Sequence, residues 1–138
     1  MEKENIIYPV PEKIIELNKI ILFFIQIKKA DEAKILNKNK IEETIEECKN
    51  HKGDIHDKAT ALFMGLIKKH PFASGNRRTA FLTIKWFLIK NESYLKIKDN
   101  SSNAWIMLGI REGFYNNEEI KEWIKHGKIK EFKPSRES

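Results

Sequence analysis

The sequence predicts an all-α fold, a compact bundle of about six or seven helices around a central helix that begins near Arg77. Two observations carry that prediction. In almost every segment the apolar residues recur three and four positions apart, the spacing of one helical face. Strand-like alternation shows only at Tyr94-Leu95-Lys96-Ile97-Lys98, so little strand is expected. Helix punctuation falls between those segments. Pro11, Asn39, Asp54, Asn76 and Asn117 suit helix starts, and Pro71 and Gly127 suit stops.

Met1 to Val10 reads as a loose lead-in, because Pro9 and Pro11 block an earlier helix. Pro11 suits a first helical turn, and that helix is expected to run to about Lys29. Ile14, Leu17, Ile21, Phe24 and Ile25 form its stripe, broadened by Ile20, Phe23 and Ile27. The stripe reads as core-facing; alternatively, part of it receives a partner helix. Asp31 to Lys38 is a turn or short helix. Asn39 then caps a second helix, with Glu42 completing a capping box. Ile41, Ile45 and Cys48 give that helix one narrow apolar edge, and Glu42, Glu43, Glu46 and Glu47 its solvated face.

After a loop at Asn50 to Gly53, Asp54 caps a helix that runs to Lys69 on Ala59, Leu62, Phe63, Leu66 and Ile67. Pro71 disfavours helical geometry at His70 and ends it. The next helix, from Arg77 to about Asn91, buries Ala80, Phe81, Ile84, Phe87 and Leu88. Leu82, Trp86 and Ile89 widen that stripe almost all round, which predicts the most buried element of the fold. A turn at Asn91-Glu92-Ser93, the short extended piece and a polar loop at Asp99 to Asn103 follow. Ala104, Trp105, Leu108 and Glu112 mark another helix, ending near Gly113. Asn117 caps the last, which carries Ile120, Trp123 and Ile124 and stops at Gly127. Residues 1–127 are expected to form one domain, and 128–138 a charged, frayed tail.

At 138 residues the chain can bury a real core, and 41% hydrophobic residues with three Trp exclude disorder. The single Cys48 excludes an internal disulfide and reads as a buried thiol in a reducing compartment, so a cytoplasmic location is expected. His51, His56, His70 and His126 are scattered, without metal-ligand spacing. The first residues are charged and contain Pro, unlike a signal peptide. Ile20 to Ile27, the most apolar run, is too short to span a membrane. The net charge of +6 suits a nucleic acid or an acidic protein partner. Its basic residues are spread widely, clustering only at Lys68-Lys69 with Arg77-Arg78 and from Lys128 to Arg136. No recognised nucleic-acid motif accompanies them, so nucleic acid is not the expected partner.

The chemistry concentrates in His70-Pro71-Phe72-Ala73-Ser74-Gly75-Asn76-Arg77-Arg78-Thr79-Ala80. Gly75 permits a tight turn, and Asn76 suits the cap of the helix that follows. A helix start offers unpaired N–H groups and partial positive charge to an anion. Arg77 and Arg78 add guanidinium donors suited to phosphate oxygens, and His70 is the one side chain in the stretch that titrates near neutrality. A proton acceptor beside a phosphate cradle suggests attack of a hydroxyl on a nucleotide phosphate. The bland reading is a packing histidine beside an ordinary Gly-Asn turn.

Together these residues resemble the signature of the Fic/Doc (Fido) family, His-Pro-Phe-x-Asp/Glu-Gly-Asn-x-Arg. The match is to the Doc branch at His70, Phe72, Asn76, Arg78, Thr79 and Ala80. Ile55 to Ala61 is similar to the segment leading into the motif, and Phe87-Leu88 with Asn91 to the helix after it. Leu36 to Cys48 is similar more loosely. The family's metal-binding acid is Ser74 here, the Doc-type Lys is Arg77, and Phe81 stands where nucleotidyl-transferring members carry a second Arg.

The resemblance implies a Fido-like bundle and a Doc-like toxin. Such a toxin transfers phosphate from a nucleoside triphosphate, ATP by expectation, to a hydroxyl of a translation elongation factor, and an antitoxin restrains it. His70 would be the general base. Gly75, Asn76, Arg77 and Arg78 would bind phosphate, Phe72 would anchor the loop, and Ser74 would occupy the position of the magnesium ligand. Ser supplies no charge to Mg2+, which prefers carboxylate and phosphate oxygens. The alternatives are a catalytically impaired binding protein and transfer of a whole nucleotidyl (AMP) group. The Glu motif of self-inhibited members is not evident. A backbone-holding flap near Asn50 to Gly53 would have to be short.

Overall fold

A computed structural model of the chain describes residues 5–25 and 34–133. Among these residues there are six helices: α1 (Pro11–Ile25), α2 (Lys38–Asn50), α3 (Ile55–Lys69), α4 (Asn76–Lys90), α5 (Asn103–Arg111) and α6 (Asn117–His126). Among the described residues there is no strand, only one isolated antiparallel bridge, between Ile35 and Phe72. The expected all-α bundle is the observed fold. None of the described helices is long and apolar enough to cross a membrane.

α3 and α4 pack together at the centre. α2, α5 and α6 surround α3, and α1 covers α4 and α2. Phe63, Leu62 and Ile67 of α3, Ile84 and Phe87 of α4, Ile110 of α5 and Ile120 of α6 meet in one core. Burial is greatest in α3, where eight of fifteen residues are buried against seven of fifteen in α4. That corrects the expectation for α4. Its stripe of Ala80, Ile84, Phe87 and Leu88 does face inward, whereas Phe81, Leu82 and Trp86 are only half-buried and Ile89 is 52% exposed. An all-round apolar composition implies central burial only if neighbours cover every face. α4 is packed chiefly against two helices, and Lys13 and Lys90 lie over the ring of its Trp86 instead.

α1 turns differently from its expected stripe. Ile14, Leu17, Asn18 and Leu22 are buried, while Phe24 is 79% exposed and Phe23 70%. The expected continuation of α1 to Lys29 lies outside the described residues. Helix starts also shift by a residue or two. α2 begins after Asn37, which makes no side-chain cap bond, so the Asn39–Glu42 box does not form. α6 is capped by Asn116, whose box partner is Glu119, and ends at Gly127 in the left-handed region. Asp54 caps α3 as expected, in a full box with Asp57. Buried Lys58 donates to the carbonyls of Cys48, Lys49 and His51 at 3.4, 2.9 and 2.8 Å, closing the end of α2. Cys48 donates to Lys58 O, and burial pushes its thiol up to about 12, so it is a packing residue.

Residues 128–133, read from the sequence as part of a frayed tail, run back along the body. Tyr115 donates to Lys130 O at 2.8 Å, and Phe132 lies 5.0 Å from the ring of Phe114.

Candidate functional site

The site is the six-residue connection 70–75 between α3 and α4, together with the first turn of α4. His70 closes α3 in the left-handed region, φ 51°, with its amide donating to Leu66 O. From there the chain turns inward. Phe72 is 1% exposed and fills the core below the loop, where truncation to Ala would cost roughly 3–5 kcal/mol. Asn76 then closes the loop on itself: Phe72 N donates to its Oδ1 at 2.9 Å, and its Nδ2 donates to Phe72 O at 2.8 Å. This places Asn76 inside α4 as its first residue, not as the cap. The cap is Gly75, at φ 77°, with no side chain to spend on the helix amides. A Cβ there would lie 3.3 Å from both Asn18 Nδ2 and Leu22 Cδ2, so the backbone angle favours glycine and the space for anything larger is tight.

The consequence is a helix start left open. The amides of Asn76, Arg77 and Arg78 have no intrahelical carbonyl to reach, and their cap residue, Gly75, has no side chain to bond them. Arg77 and Arg78 are exposed beside them, and none of the ion pairs among the described residues involves either. His70 faces cations. Its pKa lies below the usual histidine value because burial disfavours the charged ring, and because Arg111, Arg77 and Lys40 repel a proton there. A neutral imidazole among fixed cations can accept a proton and tolerates a polyanion close by.

The predicted residues His70, Ser74, Gly75, Asn76, Arg77 and Arg78 thus lie along one turn, with Asn76 spending its side chain on the loop backbone. Lys69 does not join Lys68 and the arginines in a basic cluster. It bends to α2, 2.6 Å from Glu47 and 3.8 Å from Glu43, two of the acids expected to be merely solvated. Sequence reasoning missed three contributors. Lys40 reaches the end of α3, donating to Lys69 O at 3.3 Å. Arg111 ends α5, and its charge acts on His70. The third is the segment just before α2, which pairs with the loop. Ala73 N donates to Lys34 O at 2.9 Å and Leu36 N to Pro71 O at 2.8 Å. The strand-like neighbour of the motif is therefore Lys34 to Leu36. Residues so distant in sequence leave no periodic trace of such a contact.

The residues present do not build a magnesium site. Ser74 brings a neutral oxygen, the loop carries no carboxylate, and the charges acting on His70 are all positive. Among the described residues no group of three or more His, Cys, Asp or Glu could hold a metal ion. An open depression of about 580 Å³ lies elsewhere, lined by Glu118, Glu119, Glu122, Lys128 and Lys130 among others. No motif residue lines it, and its acids would repel phosphate.

No curated protein matches the chain. The sequence model of the Fic/DOC family matches residues 11–88, which run from the start of α1 through the loop and nearly all of α4. Members of that family transfer nucleotidyl or phosphoryl groups from nucleoside triphosphates, often with Mg2+. The matched region is more than half of the chain and contains the whole open helix start, and on that ground the chain belongs to the Fic/DOC family.

Proposed function

We propose that the chain is a Doc-like toxin that transfers the terminal phosphate of ATP to a hydroxyl of a translation elongation factor, and that an antitoxin protein restrains it in the cytoplasm. One observation carries the transfer: a neutral His70 beside a helix start whose amides and guanidinium groups are left for an anion. His70 takes the proton of the target hydroxyl. The oxygen attacks the terminal phosphorus, the bond to the bridging oxygen breaks, and the nucleoside diphosphate leaves with that electron pair. The Gly75 to Arg78 amides, Arg77 and Arg78 hold the phosphate oxygens and offset the charge that develops on them. The likeness of His70 to Ala80 to the Doc branch supports the toxin role, the translation target and the antitoxin. Phe81, in place of a second Arg, favours terminal phosphate transfer over nucleotidyl transfer.

Ser74 in place of an acid favours a second reading, a protein of this fold that binds phosphates without transferring them. Growth arrest and labelled-phosphate transfer by the parent chain, His70→Ala and Ser74→Asp separate the two. The enzymatic reading expects transfer by the parent, a loss of at least about a hundredfold in His70→Ala, and a lower magnesium requirement in Ser74→Asp. It fails if the parent and Ser74→Asp are both inert, or if toxicity persists in His70→Ala. The binding reading then stands.

A further inference from the structure

Asn18 is a polar residue on the buried side of α1, among Ile14, Leu17 and Leu22, and is only 1% exposed. A leucine would suit those neighbours, and a buried amide is costly unless it is bonded. Its Nδ2 donates to Ser74 O at 3.0 Å and to Thr79 Oγ1 at 3.1 Å. The orientation is fixed by chemistry, because the Ser74 carbonyl can only accept. The two bonds fall on either side of Gly75 to Arg78. One pins the carbonyl that enters the left-handed turn, and the other pins the first turn of α4. From the same helix Ile21 and Leu22 press on Gly75, where an added Cβ would come 3.6 and 3.3 Å from their side chains. A glycine turn between two free ends could rotate its peptides at little cost. Here both ends are held from outside the motif.

We propose that Asn18 is a positioning residue, holding the Ser74 to Arg78 turn in the conformation that points its amides at an anion. The phosphate cradle is then assembled from α1 as well as from the motif. This rests on the reading of the turn as a phosphate site. Asn18→Ala removes both of these bonds. Thr79→Val cuts one bond from the other side, and Thr79→Ser restores it.

The test is ATP titration by calorimetry, together with the backbone amide resonances of the free proteins. Ile120→Val, a core change in α6, serves as a control for lost stability alone. The expected result is about tenfold weaker ATP binding in Asn18→Ala, a smaller loss in Thr79→Val, recovery in Thr79→Ser and no loss in Ile120→Val. In the free proteins, Asn18→Ala and Thr79→Val displace the amide signals of Gly75 to Arg78, and Ile120→Val leaves them in place. Should Asn18→Ala not fold, Thr79→Val against Thr79→Ser decides alone. Asn18 is no positioning residue if its variant, or Thr79→Val, binds ATP within twofold of the parent and leaves those signals unmoved. If the parent gives no ATP binding, the phosphate reading falls instead, and unmoved loop signals would still sink the role of Asn18.

Discussion

α3 and α4 are the same length and lie side by side, yet their first turns are finished in opposite ways. At the start of α3 the Asp54 carboxylate accepts the amides of His56 and Asp57, both at 3.0 Å, and Asp57 accepts the amide of Asp54 at 2.8 Å. Lys121 of α6 then pairs with Asp57 at 3.0 Å and lies 3.8 Å from Asp54. Both carboxylates at that end have local partners, so the end is spent on stability. At the start of α4 the cap is a glycine with no side chain for the amides, and among the described residues neither arginine forms an ion pair. The dipole of a helix favours an anion at either start. The difference between them is whether the sequence supplies that anion itself. α3 carries its own, and α4 leaves the place for a ligand.

The largest effect expected from this contrast is at Arg78. Losing one charge-assisted phosphate contact costs about 1.5 to 3 kcal/mol, roughly ten- to 150-fold in affinity. Arg78→Ala should weaken ATP binding by that factor. Arg78→Lys should recover part of it, because an ammonium keeps the charge but not the fork of donors. Calorimetric titration that gave parent-like affinity for Arg78→Ala would remove the open end from consideration as a phosphate site.

Most of this architecture was legible in the chain because helices announce themselves locally. The stripes of α3 and α6, the Asp54 cap and the Gly127 stop all depend on residues within a few positions of one another. The errors came where a neighbour had to be known. Asn39 looks like a cap, yet α2 starts after Asn37, next to the point where Lys34 to Leu36 is drawn against Pro71 to Ala73. Asn76 looks like a cap because asparagine usually is one. Its buried amide instead closes a loop through Phe72, which only the tertiary fold reveals. Arg111 and Lys40 are ordinary surface cations in the sequence. They become part of the site only because α5 and α2 end or begin beside the end of α3. Asn18 carried the clearest signal that went unread, a polar residue within an otherwise apolar helical face.

A middle-sized effect should appear at the closed end. Replacing an aspartate N-cap by alanine costs about 1 kcal/mol, within a range of about 0.5–2. Asp54→Ala should therefore lower the unfolding free energy by about that amount in a denaturant titration, and leave ATP affinity where it was. Equal stability in variant and parent would mean that the Asp54–Asp57 box is not what secures this helix. A change in ATP affinity would mean that the two helix starts are not independent.

The smallest effect, and the sharpest test of the contrast, is the titration of two histidines. His56 sits at the closed start, within reach of Ser93 at 3.3 Å and of the charges of Asp54, Lys125, Lys121 and Asp57. His70 sits at the open one. Both lie below the usual value of 6.5, through burial first. At His56 the field is mixed in sign, whereas at His70 it is wholly positive, from Arg111, Arg77 and Lys40. A histidine with a depressed folded pKa binds its proton less tightly in the native state than in the unfolded chain. Stability therefore falls as pH drops from 6.5 through the folded values, and is unaffected by these groups well above 6.5. Added inorganic phosphate should separate the pair. An anion at the α4 start opposes the cations around His70 and raises its pKa, while His56, facing carboxylates that already fill their end, stays where it was. Imidazole resonances followed against pH, with and without phosphate, should show one moving curve and one fixed curve. Two curves that move together, or neither moving, would show that the open start draws no anion that the closed one does not.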